Sequence, residues 1–294
     1  MFVVEVSEFG DADRLRGARR PDPAPVAGRV PVRVSAAVVN PVDVWTRAGA
    51  LAALLPDLRP PFVLGWDFAG VTDDGTAVAG LVPWFADAGA TGTYAERLLA
   101  DPAWLAPIPA GVDPAEAATL ALNGLTARQA LPLAGLPAGA RLLVTGASGG
   151  VGGFAVQLAV AAGLDVTAIA SPGDEAFVAG LGAKEVVTRG AALPVGAFDA
   201  ALDAASHGGV LHAVRDGGAY VAVTGPSAPA PERGIRVAEV HVVPSAEGLA
   251  ALLADLAAGR LTTRIAGRLP LAEAAEAHRR VERGGLRGKL VLLP

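Results

Sequence analysis

The segment LLVTGASGGVGG, from Leu142 to Gly153, constrains the fold of this chain more strongly than any other stretch. A strand-like apolar run leads into it, and an apolar helical pattern follows from Val151. Glycines at such a turn let the backbone approach a pyrophosphate without a Cβ in the way, and the free N–H groups of the next helix favour negative charge. The strand–loop–helix context therefore predicts a dinucleotide-binding turn, with a plain structural turn as the alternative.

The loop fits two glycine spacings, and the two spacings predict different enzymes. Read as T-G-x-x-x-G-x-G from Thr145, it has the pattern of short-chain dehydrogenases; read as A-x-G-x-x-G from Ala147, it is the dinucleotide fingerprint with alanine in the first glycine position. Short-chain enzymes begin with this loop and carry a Tyr-x-x-x-Lys pair well downstream of it. Here the loop lies near the middle of the chain, and neither Tyr94 nor Tyr220 has a lysine four residues on. The second spacing is therefore preferred.

The chain before the loop reads as β-rich. Short apolar or alternating runs bounded by turn residues cover Val30–Val39, Phe62–Thr72 and Thr76–Val82. A helix is then predicted from Pro114, with Asp113 as its N-cap, because proline is favoured at the first helical position and aspartate just before it. This helix marks the change from a β-rich texture to a mixed one.

From this helix onward, strands and helices alternate as far as a long helix over Ser245–Gly259. Such alternation predicts an α/β fold with a Rossmann-type doubly wound parallel sheet. The last helix and strand of the chain return to the β-rich part. The predicted domains are therefore a β-rich domain of residues 1–112 and 260–294 and a dinucleotide-binding domain of residues 113–259.

Composition narrows the function further. The 294 residues are 52% hydrophobic with a net charge of −5, which predicts a sizeable core and argues against nucleic acid or an anionic membrane as partner. There is no cysteine, and no metal site is expected at the closest histidine pair, His207 and His212. Because no basic and apolar leader precedes the strand-like N-terminus and no apolar stretch reaches about 18 residues, we expect a soluble, cytoplasmic protein.

Several ordered motifs resemble one family over nearly the whole chain. The motifs are AAVVNPVDVWTRAG, PPFVLGWDFAGV, GTYAE, AATLALNGLTARQAL, VTGASGGVGGFAVQLA and GRLPLAEAAEAHRRVERGGLRGKLVL. With them the chain resembles the zinc-independent medium-chain dehydrogenases/reductases, in their quinone oxidoreductase and enoyl reductase branch. The resemblance implies a GroES-like β-rich catalytic domain, a Rossmann domain that binds NADPH, a small-molecule acceptor and commonly a homodimer.

The zinc question can be argued from the residues themselves. Zinc-dependent relatives carry Gly-His-Glu where this chain has Gly65, Trp66 and Asp67. The histidine ligand is replaced, and there is no cysteine to supply the others, whereas a catalytic zinc takes about three protein ligands. We therefore expect no metal and a direct hydride transfer.

Cofactor choice depends on the residues after the loop. Enzymes that use NAD place a carboxylate about 20 residues past the loop, but this chain has Ser171 there, which favours NADPH over NADH. Asp174 stands where the family often has a lysine, and Arg189 is expected to bind the 2′-phosphate, with a solvated surface charge as the alternative. The predicted cofactor-binding residues are Thr126, Ala147, Gly149, Gly150, Val151, Gly152, Ser171, Arg189, Thr224 and Gly225. Helix packing is the alternative for Thr126, and a simple strand-end turn for Thr224 and Gly225.

Two residues are predicted to act on the acceptor. Asn40 matches the family's active-site asparagine and could donate to the acceptor carbonyl; the alternative is a turn residue before Pro41. Trp45 stands where several enoyl-thioester reductases have a tyrosine, and it can stack but supplies no comparably acidic proton. Asn123 replaces a usual apolar residue and is a candidate polar contact to substrate.

Asp43 and Asp67 are acid candidates if burial raises the pKa of either, although pairing with an arginine such as Arg47 is the commoner outcome. The predicted function is an NADPH-dependent reductase of quinones or of the C=C bond of α,β-unsaturated carbonyls. The alternatives are a biosynthetic tailoring enzyme on a polyketide-like scaffold and a non-catalytic nucleotide-binding protein.

Overall fold

A computed structural model describes residues 1–53, 55, 57–84, 91–205, 209–223 and 228–294. The chain forms two compact units. Unit 1 comprises Met1–Leu122, Val243–Arg260 and Arg264–Pro294, and unit 2 comprises Asn123–Val242 and Leu261–Thr263.

The helices are α1 (Pro41–Arg47), α2 (Pro114–Ala130), α3 (Gly150–Ala161), α4 (Glu175–Gly180), α5 (Ala246–Ala257) and α6 (Ala274–Arg283). The strands are β1 (Phe2–Val6), β2 (Leu15–Arg19), β3 (Val30–Val39), β4 (Phe62–Val63), β5 (Asp67–Thr72), β6 (Ala77–Leu81), β7 (Arg97–Ala100), β8 (Leu105–Pro107), β9 (Arg141–Thr145), β10 (Asp165–Ala170), β11 (Glu185–Thr188), β12 (Phe198–Asp203), β13 (Val214–Ala222), β14 (Arg236–Glu239), β15 (Ile265–Pro270) and β16 (Lys289–Leu293).

Unit 2 contains a six-stranded sheet in the order β11-β10-β9-β12-β13-β14, and every neighbouring pair is parallel. Numbered within the unit, this order is 3-2-1-4-5-6, the order of Rossmann folds. The central strand β9 carries Leu142, Leu143 and Val144, all fully buried. Such a continuous apolar run is expected where both faces of a parallel sheet are covered. The carboxyl end of β9 delivers the chain into the glycine loop.

Unit 1 is built from mainly antiparallel sheets, in which β15 and β16 pair in parallel. One is three-stranded, in the order β2-β1-β4, and the other follows the order β15-β16-β3-β5-β6-β8, with β7 also paired to β3. The long strand β3 lies between β16 and β5, with Val39 opposite Leu290 and Ala37 opposite Phe68. Since β16 and β5 run antiparallel to β3, both begin where β3 ends. Residues at these three strand ends are therefore brought together.

Most predicted elements are present, including the capped helix starts. Asp113 Oδ1 accepts from the Ala115 N–H at 2.9 Å, and Ser245 Oγ accepts from the Gly248 N–H at 3.0 Å. Helix α1 was not predicted; it begins at Pro41, and the Asn40 N–H donates to Asp43 Oδ2 at 2.8 Å. Strands β2, β7, β8, β14 and β15 were also missed. The parallel and antiparallel sheets agree with the predicted fold class.

The compact units differ from the predicted domain limits in three segments. Residues 113–122 and 243–259, predicted in the dinucleotide-binding domain, fall within unit 1, and residues 261–263, predicted in the β-rich domain, fall within unit 2. Helix α5 packs on β6 and β8 of that unit. Compactness and fold topology need not divide a chain at the same residues, so the domain limits stay a prediction.

Gly65 lies just before β5 and sets the path of the chain into it. Its φ is +102°, and a Cβ there would lie 2.2 Å from Thr93 Oγ1 and 2.9 Å from the Thr93 backbone nitrogen. We expect Gly65→Ala to lower the free energy of unfolding by roughly 1–3 kcal/mol more than Gly75→Ala, because overpacking adds to the backbone strain. Gly75 is a matched control, since its φ is +89° but nothing lies within 4 Å of the added Cβ. Urea unfolding measures both, and equal losses would contradict the steric argument.

Candidate functional site

The glycine loop joins β9 to α3 through a backbone contact that excludes side chains. Gly146 has φ +63°, and its carbonyl oxygen accepts from the Gly149 N–H at 2.8 Å. A Cβ on Gly152 would lie only 2.2 Å from that same oxygen. Helix α3 begins at Gly150, so its free N–H groups face the turn. The geometry is typical of phosphate-binding turns at a helix N-terminus.

Two hydrogen bonds tie this loop to the end of β10. The Ala147 N–H donates to Ile169 O at 3.1 Å, and the Ser171 N–H donates to Ser148 Oγ at 2.9 Å. Ser171, predicted from its distance along the chain, therefore lies beside the loop. The structure brings the two predicted cofactor segments together.

A cavity of about 230 Å³ opens at the same end of the sheet. Its lining includes Gly146, Ile169, Ser171, Arg189 and Leu193. Apolar side chains with a few polar groups at one edge are typical of small-molecule sites, and this edge is where doubly wound sheets bind ligands. Arg189 is exposed, and its backbone N–H donates to Ala170 O at 2.8 Å. The arginine therefore lies on the wall of this cavity.

The two acidic residues near Ser171 are both engaged by the protein. Asp174 is 5% exposed at the start of α4. Glu175 accepts from the Gly173 N–H at 2.8 Å and from the Thr188 hydroxyl at 2.9 Å. The backbone and Thr188 hydrogen bonds keep the pKa of Glu175 below its usual value. Neither carboxylate lines the cavity among the residues that the structure describes.

The other predicted cofactor residues differ in what surrounds them. Thr126 is buried within α2, and Val151 is half-buried in the first turn of α3. A Cβ on Gly150 would lie 2.6 Å from Asn123 Oδ1, so the glycine makes room for that amide. Thr224 and Gly225, like His207, lie outside the described residues.

Sequence reasoning missed Asp203, which is fully buried at the end of β12 next to the loop. It accepts from the Thr145 hydroxyl, from the Tyr220 hydroxyl at 2.6 Å and from the Ala205 N–H at 3.2 Å. A buried carboxylate with several donors is stabilised rather than destabilising. Asp203 therefore holds together the strand ends from which the loop departs.

In unit 1 the predicted residue Asn40 lies in a buried polar cluster with Asp67 and Lys289. The Lys289 ammonium donates to Asn40 Oδ1 at 2.6 Å, and Asn40 Nδ2 donates to Asp67 Oδ1 at 2.9 Å. Asn40 is 1% exposed, whereas Lys289 is half-buried. Lys289 lies in the last motif of the family resemblance, but the sequence predicts no role for it. The cluster forms where β3 ends and β5 and β16 begin.

Burial dominates the ionisation of this cluster. Asp43, on α1, and Asp67 are both fully buried. Desolvation raises the pKa of Asp43 to about 8 and that of Asp67 to about 7, and the Lys289 charge opposes both shifts. Desolvation also lowers the pKa of Lys289, against the attraction of the two carboxylates. The condition set for acid candidates, a raised carboxyl pKa, is therefore met.

The expected pairing of these carboxylates with Arg47 is wrong. Arg47 is buried and pairs instead with Glu282, while its Nε donates to Gly10 O at 3.2 Å. Nearby, the Tyr94 hydroxyl lies 3.1 Å from His278 Nε2. Burial, with a smaller contribution from the Arg47 charge, lowers the pKa of His278 to about 3. This imidazole is therefore neutral near pH 7.

The aromatic residues separate into packed and exposed groups. Trp84 stacks on Phe62 with ring centroids 5.6 Å apart and meets Trp66 edge-on at 6.2 Å. Trp45, predicted to act on the acceptor, is 42% exposed on α1. Its indole is accessible, whereas Asn40, which lies just before the same helix, is buried.

The donors of the described residues form no site for a catalytic zinc. Trp66 occupies the position of the histidine ligand, and the chain has no cysteine. Among the described residues, no three His, Asp or Glu side chains group as a metal site would require. Within the same residues, no helix has the length and apolar character needed to cross a bilayer.

Known proteins resemble this chain in sequence and in structure. The zinc-binding dehydrogenase family model matches residues 181–292. A chloroplastic quinone-oxidoreductase homolog from Spinacia oleracea is 34% identical over 200 residues, or 64% of this chain and 60% of that protein. The spectinabilin polyketide synthase system protein NorB from Streptomyces orinoci is 40% identical over 181 residues, or 60% of this chain and 8% of that protein. The structure of the quinone oxidoreductase from Coxiella burnetii has a TM-score of 0.90 at 27% identity, over 100% of this chain and 99% of that one.

A Rossmann-ordered sheet with a glycine turn, in a chain that also forms mainly antiparallel β-rich sheets, is typical of dinucleotide-binding dehydrogenases and reductases. The similarities support the medium-chain dehydrogenase/reductase superfamily, in its quinone oxidoreductase branch. The match to the spinach relative spans 60% of that protein's length, less than two thirds. The family implies a nicotinamide cofactor, and the loop, Ser171 and the cavity fit one.

The buried carboxyl of Asp43 makes a testable contribution to stability. Its pKa rises from an ordinary 3.8 to about 8 on folding, so between these values the folded chain holds a proton that the unfolded chain releases. Stability from this group is therefore lost as pH rises through that range. We expect Asp43→Asn, whose amide oxygen can still accept from the Asn40 N–H, to lose less unfolding free energy than the wild type between about pH 5 and about pH 8. Urea unfolding at each pH measures this, and parallel curves for the two proteins would contradict it.

Proposed function

We propose that this protein is an NADPH-dependent oxidoreductase that transfers a hydride to a quinone or to the C=C bond of an α,β-unsaturated carbonyl, without a metal. The observation that carries the proposal is the cavity that joins the glycine loop to Ser171 and Arg189. It combines a phosphate turn with a cation where the ribose end of a dinucleotide would lie. Relatives named as quinone oxidoreductases support the reaction class.

The residues of unit 2 bind and orient the cofactor. The α3 N-terminus and the loop N–H groups hold the pyrophosphate, and Gly152 keeps the backbone close to it. Ser171 and Arg189 bind the 2′-phosphate, and Asp174 does not contact it, because Asp174 is buried and does not line the cavity. The bound nicotinamide supplies the hydride.

The residues near Asn40 serve the acceptor. Hydride addition places negative charge on the acceptor oxygen, and preorganised donors stabilise that charge better than water does. The cluster offers an ammonium, that of Lys289, which is held by the Asn40 amide and by strand pairing. The exposed Trp45 provides a flat apolar face for a quinone ring or a conjugated chain.

A second candidate is a tailoring reductase on a polyketide-like scaffold. The 40% identity to a segment of a polyketide synthase protein favours it. Fold, cofactor and proton chemistry would be the same, and the acceptor would be larger and more specialised.

NADPH oxidation against a panel of quinones, enals and enoyl thioesters, with cofactor binding measured in parallel, tests the proposal. We expect turnover with at least one acceptor and none with Gly152→Ala, because the added Cβ would force the loop and α3 apart. Gly180→Ala is the matched control in the same unit, since nothing lies within 4 Å of its added Cβ. Circular dichroism is the control that tests whether both variants fold.

The outcomes separate the candidates. Dinucleotide binding without turnover on the whole panel would point to the tailoring enzyme or to a non-catalytic nucleotide-binding protein. Equal dinucleotide affinity in Gly152→Ala and the wild type would contradict the role given to the loop.

Arg189 tests the choice of dinucleotide. Removing one charge-assisted contact costs roughly 1.5–3 kcal/mol, so Arg189→Gln should raise the Kd for NADPH by about tenfold or more. The Kd for NADH, which lacks the 2′-phosphate, should change by less than about twofold. Lys184→Gln is the control, because Lys184 is exposed and pairs with Asp165. Titration of both dinucleotides measures this, and tenfold tighter NADH binding by the wild type would refute the NADPH assignment.

A further inference from the structure

The Asn40 side chain is committed to the protein at both ends. Its Oδ1 accepts from the Lys289 ammonium at 2.6 Å, and its Nδ2 donates to Asp67 Oδ1 at 2.9 Å. A lysine can only donate and a carboxylate can only accept, so this arrangement fixes which way the amide faces. With 1% of its surface exposed, Asn40 is poorly placed to donate to an acceptor oxygen.

Lys289 is the half-buried member of the same cluster. Its ammonium has three donors, and the bond to Asn40 uses one of them. The backbone at this point is held on both sides, because the Lys289 N–H donates to Arg264 O at 2.8 Å and the next residue, Leu290, pairs with Val39. The backbone of Lys289 is therefore fixed by its neighbours in the sheet, and its ammonium is oriented by Asn40.

The residue type at this position is also informative. Lysine accounts for only two of the chain's 24 lysine and arginine residues, Lys184 and Lys289. Lys184 is exposed and pairs with Asp165. An arginine keeps its proton under all physiological conditions, whereas a buried lysine gives its proton up readily.

We propose that Lys289, held by Asn40, is the catalytic residue that donates a hydrogen bond to the acceptor oxygen and then protonates it. This inference rests on the proposed function. As the hydride adds to the acceptor, negative charge develops on the oxygen. The Nζ–H bond of Lys289 breaks and the proton goes to that oxygen, giving a hydroquinone or an enol that becomes the saturated carbonyl. The neutral amine regains a proton from water.

The charges around Lys289 suit this role. Asp67 faces it from β5 and Asp43 from α1, Tyr94 lies near both carboxyls, and Arg47 lies near Tyr94. Burial lowers the pKa of Lys289 and thereby makes the ammonium a better proton donor near neutral pH. The fully buried carboxyls keep the ammonium in place without being exposed themselves.

Three variants test the proposal. General acid catalysis contributes about 10²–10⁴-fold, so Lys289→Met should lower kcat for the accepted quinone or enone by about 100-fold or more while the Kd for NADPH changes by less than about twofold. Lys289→Arg restores the positive charge but not a labile proton, so we expect acceptor KM to recover and kcat to stay low. Lys184→Met, at the other lysine, should behave as the wild type.

A binding measurement provides a readout that does not depend on turnover. The oxyanion 4-nitrophenolate imitates the charged oxygen of the reduced acceptor, and its absorbance reports binding. Wild type and Lys289→Arg should bind it, and Lys289→Met should bind it at least about tenfold more weakly, as expected for loss of one charged contact. A purely structural role for Lys289 would not separate the arginine and methionine variants in this way.

The outcomes distinguish the two proposals. If the wild type binds dinucleotide but reduces no acceptor, the proposed function fails. The phenolate titration alone then tests whether Lys289 binds the charged oxygen of an acceptor. Equal phenolate binding by the wild type and Lys289→Met, or no binding by either, overturns the inference. So does turnover by Lys289→Met within about threefold of the wild type, well short of the contribution of a general acid.

Discussion

The approach of Gly152 to the carbonyl oxygen of Gly146 is the contact on which the cofactor site depends. No Cβ fits at a distance of 2.2 Å, so the first turn of α3 can lie directly over the end of β9. The remaining features of the site are consequences of that closeness. The loop is then near enough to β10 for Ser148 to accept from the Ser171 N–H, and the cavity opens at the same edge. Asp203 supports the arrangement from below through the Thr145 and Tyr220 hydroxyls.

Local patterns allowed the Rossmann part of the fold to be predicted from the sequence. Glycine spacing, helix caps such as Asp113 and the alternation of strands and helices all act over a few residues. The cluster around Asn40 could not be found in this way. Lys289 lies 249 positions from Asn40 along the chain and meets it only because β16 and β3 pair in one register. Strand pairing across such a separation leaves no periodicity in the sequence.

Burial also explains why some expectations about charged residues from the sequence differ from the structure. From the sequence, Asp43, Asp67 and Arg47 suggest a simple ion pair. In the structure, Arg47 pairs with Glu282, and the two carboxyls lie in a separate buried cluster with Lys289. Similarly, Asp174 stands at a position where the family often has a lysine. In the structure, Asp174 is buried at the start of α4 and does not line the cavity. Side-chain direction, which depends on the packing of the whole unit, decided each case.

The ionisation of the Asn40 cluster determines whether it helps or hinders a reduction. Two ionised carboxylates beside one ammonium would give a net negative charge, which would oppose the negative charge that develops on an acceptor oxygen. Burial prevents this, because it raises the pKa of Asp67 to about 7 and that of Asp43 to about 8. Near neutral pH, protonation of these carboxyls lowers the negative charge beside Lys289. The same burial that costs folding energy therefore favours the role proposed for the Lys289 ammonium.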